Sequence, residues 1–154
     1  MNNTFYNVID TLKDIISASD FNNQVTFGDI TQIDLGKVTN FPLAHIMVDS
    51  ADIDQRTISY SIKIMVCDII DVNKEYEDDN KFLGNSNEQD IYNTQFYVIN
   101  HLVSVLRNLD LADNNFLRVS DTVRALPFKD RFENELAGWE TELTIVSRND
   151  ISFC

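Results

Sequence analysis

Phe5, Val8, Ile9, Leu12, Ile15 and Ile16 recur at the three- and four-residue spacing of a single helical face. Asn7, Asp10, Lys13 and Asp14 fall on the other side, so the pattern predicts an amphipathic helix. Asn2, Asn3 or Thr4 would cap it, and the polar run from Ser19 to Asn23 would end it. From Val25 to Leu35 the pattern turns to β, with Gly28 at a bend or bulge. Phe41 to Asp49 reads as a largely buried strand with Pro42 confined to its start. The clearest strand runs from Arg56 to Ile70. There Ile58, Tyr60, Ile62, Ile64 and Val66 alternate with Ser59, Ser61, Lys63, Met65 and Cys67. Its first half has one wet face, and its second half is apolar on both. Asp49 to Gln55 then reads as the turn of an antiparallel hairpin.

A polar connection of about fifteen residues follows, from Asp71 to Asn85, long for a compact domain. Beyond it, Ser86 and Gln89 stand in capping-box relation, and Glu88 and Asp90 suit the positive end of a helix. Two apolar stripes run along that helix. One is Ile91, Val98, Leu102, Val105 and Leu109; the other is Tyr92, Phe96, Ile99, Val103 and Leu106. Such a face is wider than one sheet can cover, over a helix of roughly 33 Å at ~1.5 Å per residue. The excess implies a second helix, a neighbouring subunit, or both. Phe116 to Val123 reads as a strand. Pro127 to Gly138 reads as a short helix or an ordered loop, because Phe128, Phe132 and Leu136 share helical spacing between a proline and a glycine. Trp139 to Val146 closes the chain as a strand, with Trp139, Thr141, Leu143 and Ile145 on one face. The expected fold is a single α+β domain over residues 1–154. A mainly antiparallel sheet carries the N-terminal helix and the one long helix packed on one face.

Composition narrows the function. With 25 acidic and 12 basic residues the net charge is −13, which repels phosphate backbones and anionic membrane surfaces. The acids are scattered, so solubility is the first reading; a basic protein partner or mimicry of DNA are the others. Cys67 and Cys154 form no motif, which points to a reducing compartment. The N-terminus has no basic-then-apolar signal pattern, and no apolar run approaches the length of a membrane span.

Chemistry is sparse. His45 and His101 have no ligand partner at metal spacing, and Asp49, Asp52 and Asp54 lack the glycine and glutamate of a calcium loop. Ser104 shares a helical face with His101 without a nucleophile elbow. Glycines at 28, 36, 84 and 138 cannot build a phosphate loop. The expectation is a protein that is not an enzyme and takes no cofactor or metal.

The stretch LPFKDRFENELAGWETELTIVSRN, Leu126 to Asn149, is the most distinctive segment, sharpest at Pro127-Phe128 and Ala137-Gly138-Trp139. It resembles the terminal segment of small phage neck and tail-completion proteins of the tail-terminator and head–tail joining group. Those proteins share the element order, including a strand with an early glycine (Phe27-Gly28-Asp29) and a proline-led strand (Phe41-Pro42-Leu43). The resemblance implies a structural virion protein, a homo-oligomeric ring of six or twelve subunits. It would be built in the host cytoplasm and end in the neck or tail. Its partners would be portal, adaptor and tail-tube proteins, with DNA passing through an acidic conduit without specific binding and no membrane involved. Interface candidates are Glu75, Tyr76, Glu77, Asp78, Asp79, Phe82 and Leu83 of the polar connection, with Tyr92, Phe96, Phe128, Phe132 and Trp139. Ordinary readings stand beside these: Trp139 as a core anchor, the helix stripes as core, the connection as a surface loop. Two other classes compete: an acidic inhibitor or DNA mimic that binds a host protein, and a small enzyme or ligand-binding module built from scattered residues.

Overall fold

The computed structural model describes residues 4–29, 40–70, 87–112, 118–129 and 136–149. The first apolar stripe forms helix α1, Thr4–Ser17, which buries Val8, Ile9, Leu12 and Ile16. Its end tightens, with Ser19 N–H donating to the Ile16 carbonyl at 3.1 Å. Strand β1, Gln24–Phe27, follows and stops at Gly28, whose φ of 132° is a backbone state that side chains rarely adopt. Residues 30–39, the rest of the expected β segment, lie outside the described residues.

Two long strands form the hairpin. β2 spans Leu43–Ile53 and β3 spans Thr57–Ile69, antiparallel from the Leu43–Cys67 pair to the Ile53–Ile58 pair. β2 runs four residues past its expected end. A bulge between Val48 and Ser50 absorbs Asp49, so Ser50 and Asp52 take the far face and Ala51 and Ile53 the helix face. The alternation in β3 behaves as the sequence predicts: Tyr60, Ile62, Ile64 and Val66 are buried, and Met65 and Cys67 on the other face are buried too.

Helix α2, Glu88–Ala112, opens with Ile91 N–H donating to the Asn87 carbonyl at 2.9 Å; Ser86, the expected cap, lies outside the described residues. It buries Ile91, Gln95, Val98, Ile99, Leu102, Val103 and Leu106. α1 and α2 share a single core with the sheet residues Ala44, Ile46, Tyr60, Ile62, Ile64, Val66, Leu143 and Ile145. The second helix implied by the wide face is therefore α1. It does not cover everything, because Phe96 and Leu109 stay exposed.

The C-terminal part departs from expectation. The Phe116–Val123 strand is reduced, among the described residues, to β4, Arg118–Val119. The Arg107 guanidinium takes the Asp121 carbonyl at 2.6 Å, where the chain bends away from the sheet. Ala125–Lys129 is strand β5, and Leu136–Arg148 is strand β6. Neither the short helix nor the loop expected for Pro127–Gly138 describes these ends of the segment. Pro127 is tolerated because β5 is an edge strand, paired among the described residues with β6 alone. Phe128 and Leu136 join Leu43, Met65 and Cys67 in a second core on the sheet's far face, a contact that outweighs their helical spacing. Among the described residues the result is a six-stranded mixed sheet in which only β1 against β2 is parallel, with the path β1-β2-β3-β6-β4 and β5 also on β6. Both helices pack on one face: an α+β fold.

Gly138 pairs with Cys67 in the ladder between β3 and β6. A methyl group there would strike the Val66 carbonyl and sit 2.8 Å from the Cys67 Cα, both rigid backbone. We expect Gly138→Ala to destabilise the fold by about 3 kcal/mol. Urea unfolding measures this, and a change below about 0.5 kcal/mol would show that the strands separate freely there.

Candidate interaction surfaces

Of the aromatic interface candidates, Tyr92, Phe96 and Trp139 meet. The Trp139 indole N–H donates to the Tyr92 carbonyl at 2.8 Å. The Trp139 ring lies edge-on to Tyr92 and Phe96, with centroids 5.7 and 5.3 Å away. The Tyr92 hydroxyl donates to the Phe128 carbonyl at 3.2 Å, and Lys129 pairs with Glu88 at 3.0 Å. Together these contacts fasten β5 and β6 to the first half of α2. Trp139 therefore acts as an internal anchor, and Phe96, 46% exposed, is the member of the trio with outward apolar surface. Phe128 is buried at 7% within the chain, on the opposite sheet face. Glu75, Tyr76, Glu77, Asp78, Asp79, Phe82, Leu83 and Phe132 lie outside the described residues.

Two exposed aromatic groups escape the sequence reading. Phe5 touches Phe27 and Tyr60, with centroids 6.3 and 5.8 Å away, and Tyr6 and the Lys13 ammonium sit beside them. Phe21 meets Tyr97 edge-on at 5.5 Å, and His101 stacks on Tyr97 at 6.0 Å with the planes 4° apart. The four-residue step from Tyr97 to His101 is legible on a helix. The contacts of Phe5 and Phe21 depend on how α1 and its exit segment meet the sheet and α2, which no local pattern encodes.

The titratable groups are structural in placement. His45 is fully buried between the Thr26 hydroxyl, 2.7 Å from Nδ1, and the Gly28 carbonyl, 3.1 Å from Nε2. A carbonyl only accepts, so Nε2 carries the proton and Nδ1 accepts from Thr26. Burial holds the His45 pKa below its usual range, against the opposing pull of the Gly28 and Asp29 backbone and the Asp29 charge. Burial pushes the Cys67 thiol up to about 12, so it stays protonated and inert. Burial also raises Asp68 and Tyr60. The Ser104 hydroxyl donates to the Asn100 carbonyl at 2.7 Å, an intrahelical bond that ties up its proton. Among the described residues, no three His, Cys, Asp or Glu side chains are grouped to hold a metal ion. No described helix is long and apolar enough to cross a membrane. No protein-family model and no curated protein sequence matches the chain.

Trp139→Ala is expected to cost about 3 kcal/mol in urea unfolding. Trp139→Phe, which keeps the packing and removes the N–H, should cost about 1 kcal/mol. Equal losses in the two variants would mean that the ring contacts contribute nothing. For His45, the unfolded imidazole takes its proton near the ordinary value of 6.5, and the folded one resists it to lower pH. Its contribution is thus complete above that value and declines as pH falls towards the folded pKa. Asp68 acts oppositely at lower pH, because its raised folded pKa favours the protonated fold. Comparison with His45→Gln removes the Asp68 effect: from pH about 7.5 to about 5, wild type should lose more stability than the variant. Parallel pH profiles would show that the fold does not lower the His45 pKa.

Proposed function

We propose that this chain is a structural virion protein, the ring-forming subunit of a phage neck or tail that joins portal to tail tube and lines the DNA conduit. The observation that carries the reading is the order and layering of elements. An amphipathic helix, a short strand stopped by Gly28, a long hairpin, a long helix and a closing strand form one sheet with both helices on one face. That is the arrangement implied by the resemblance of the Leu126–Asn149 segment. In it, the Ala137-Gly138-Trp139 motif has a physical role, closing β6 onto β3 and anchoring α2.

Charge and surface are consistent with the same role. A net charge of −13 keeps passing DNA from adhering to a conduit wall. Exposed Phe5, Tyr6, Phe27, Phe96 and Tyr97 give apolar area for neighbouring subunits. The virion neck or tail is the proposed location, with assembly in the host cytoplasm.

Negative-stain electron microscopy and native mass spectrometry of the purified protein test this directly. The expected result is a ring of six or twelve copies with an open centre that seats on the end of isolated tail tubes. Stoichiometric capture and inhibition of a basic nucleic-acid enzyme by single copies would replace it with the acidic-inhibitor reading.

A further inference from the structure

A strand at the edge of a sheet presents unpaired backbone donors and acceptors, and proteins manage such edges with charge. β2 is one of them for most of its length. β1 pairs with β2 only over Leu43–Ile46, so among the described strands Met47–Ile53 has a neighbour on the β3 side alone. Asp49, Ser50, Ala51, Asp52 and Ile53 are all exposed, Ile53 by 77%. At the other side of the sheet β4 pairs, among the described strands, with β6 alone.

The register puts these two edges in the same rows of the sheet. Asp52 pairs with Ser59, Ser59 with Val146, and Val146 with Arg118. Ala51 leads in the same way through Tyr60 and Ile145 to Val119. The charges on the two ends are opposite. Asp49, Asp52 and Asp54 lie exposed at the β2 end, with Lys63 at 3.8 Å from Asp49 and Arg56 in the turn. Arg118 lies exposed on β4; Arg148, two residues beyond its partner Val146 on β6, and Arg124, just before β5, are exposed too, and Arg107 donates to the Asp121 carbonyl at the bend. Each junction along β2, β3, β6 and β4 is antiparallel, so β4 runs opposite to β2. A neighbouring copy whose β4 lies beside β2 continues that alternation without a break. Two β2 edges brought together would instead set aspartates against aspartates, which disfavours the symmetric pairing.

We propose that the β4 edge of one copy of this chain adds to the Met47–Ile53 edge of the next, with Arg118 of one facing Asp52 of the other. The contact is heterologous, and repetition of it closes a ring. Its copy number, though not its geometry, rests on the ring reading above.

Light scattering on the purified chain over a concentration series at low salt reads the joint, since surface ion pairs weaken as salt rises. Wild type is expected to assemble. Asp52→Arg and Arg118→Asp each set like charges together and should weaken assembly at least about tenfold. Both positions are exposed, so melting curves should match wild type; Asp52→Asn and Arg118→Gln should weaken assembly less. Mixing the two reversed variants is the decisive arm, because opposite charges then face each other at both edges and assembly should return. The joint is overturned by a wild type that stays monomeric at every concentration, by reversed variants that assemble as wild type does, or by a mixture no better than its parts. Rings that ignore these substitutions leave the neck reading standing, and swap-sensitive rings that never bind tail tubes leave only the joint.

Discussion

The antiparallel pairing of β3 with β6 is the constraint on which the rest depends. It runs unbroken from Thr57–Arg148 to Ile69–Leu136, joining segments far apart in the chain. Where Val66 and Cys67 pair with Trp139 and Gly138, β3 is buried on both faces and cannot rest at a surface. A slip of one residue would move Leu143 and Ile145 out of the helix-side core and carry Glu142 and Thr144 into it. At Gly138 a side chain would meet backbone that cannot yield.

With that pair in place, the two faces acquire different tasks. The helix face takes α1 and α2 in one continuous core, and the far face holds the smaller group of Leu43, Met65, Cys67, Phe128 and Leu136. Trp139 connects the two halves of the molecule across the first face. Its ring packs on Tyr92 and Phe96 while its N–H shares a helix carbonyl, so burial and hydrogen bonding act through one side chain. His45 does similar work at the far edge, where its two ring nitrogens fix Thr26 and the left-handed Gly28 that ends β1. These groups are committed inside the chain. What remains outward is aromatic surface on the helix layer and charged sheet edges that are, among the described strands, partly unpaired.

Several of the polar side chains satisfy nearby backbone: Ser104 on Asn100, Thr141 on Arg124, Tyr92 on Phe128. The exposed charges are unevenly spread over the sheet, with Asp49, Asp52 and Asp54 at the β2 end and Arg118 on β4.

Periodicity alone determined α1, the two strands of the hairpin, α2 and the inward face of β6, because each rests on local alternation that tolerates a single burial pattern. Ile58 to Val66 and Thr141 to Ile145 read correctly for that reason. The charge of −13 was likewise legible before any fold. Tertiary structure decided what local pattern leaves degenerate. Phe128 and Leu136 have helical spacing but lie on strands, since the far-face core rewards both. Trp139 reads both as a core anchor and as an interface candidate, and the packing of β6 on α2 makes it an anchor. The row that sets Asp52 opposite Arg118 passes through three strand pairings. Register between distant segments is a property of pairing and packing, and no stretch of sequence carries it alone.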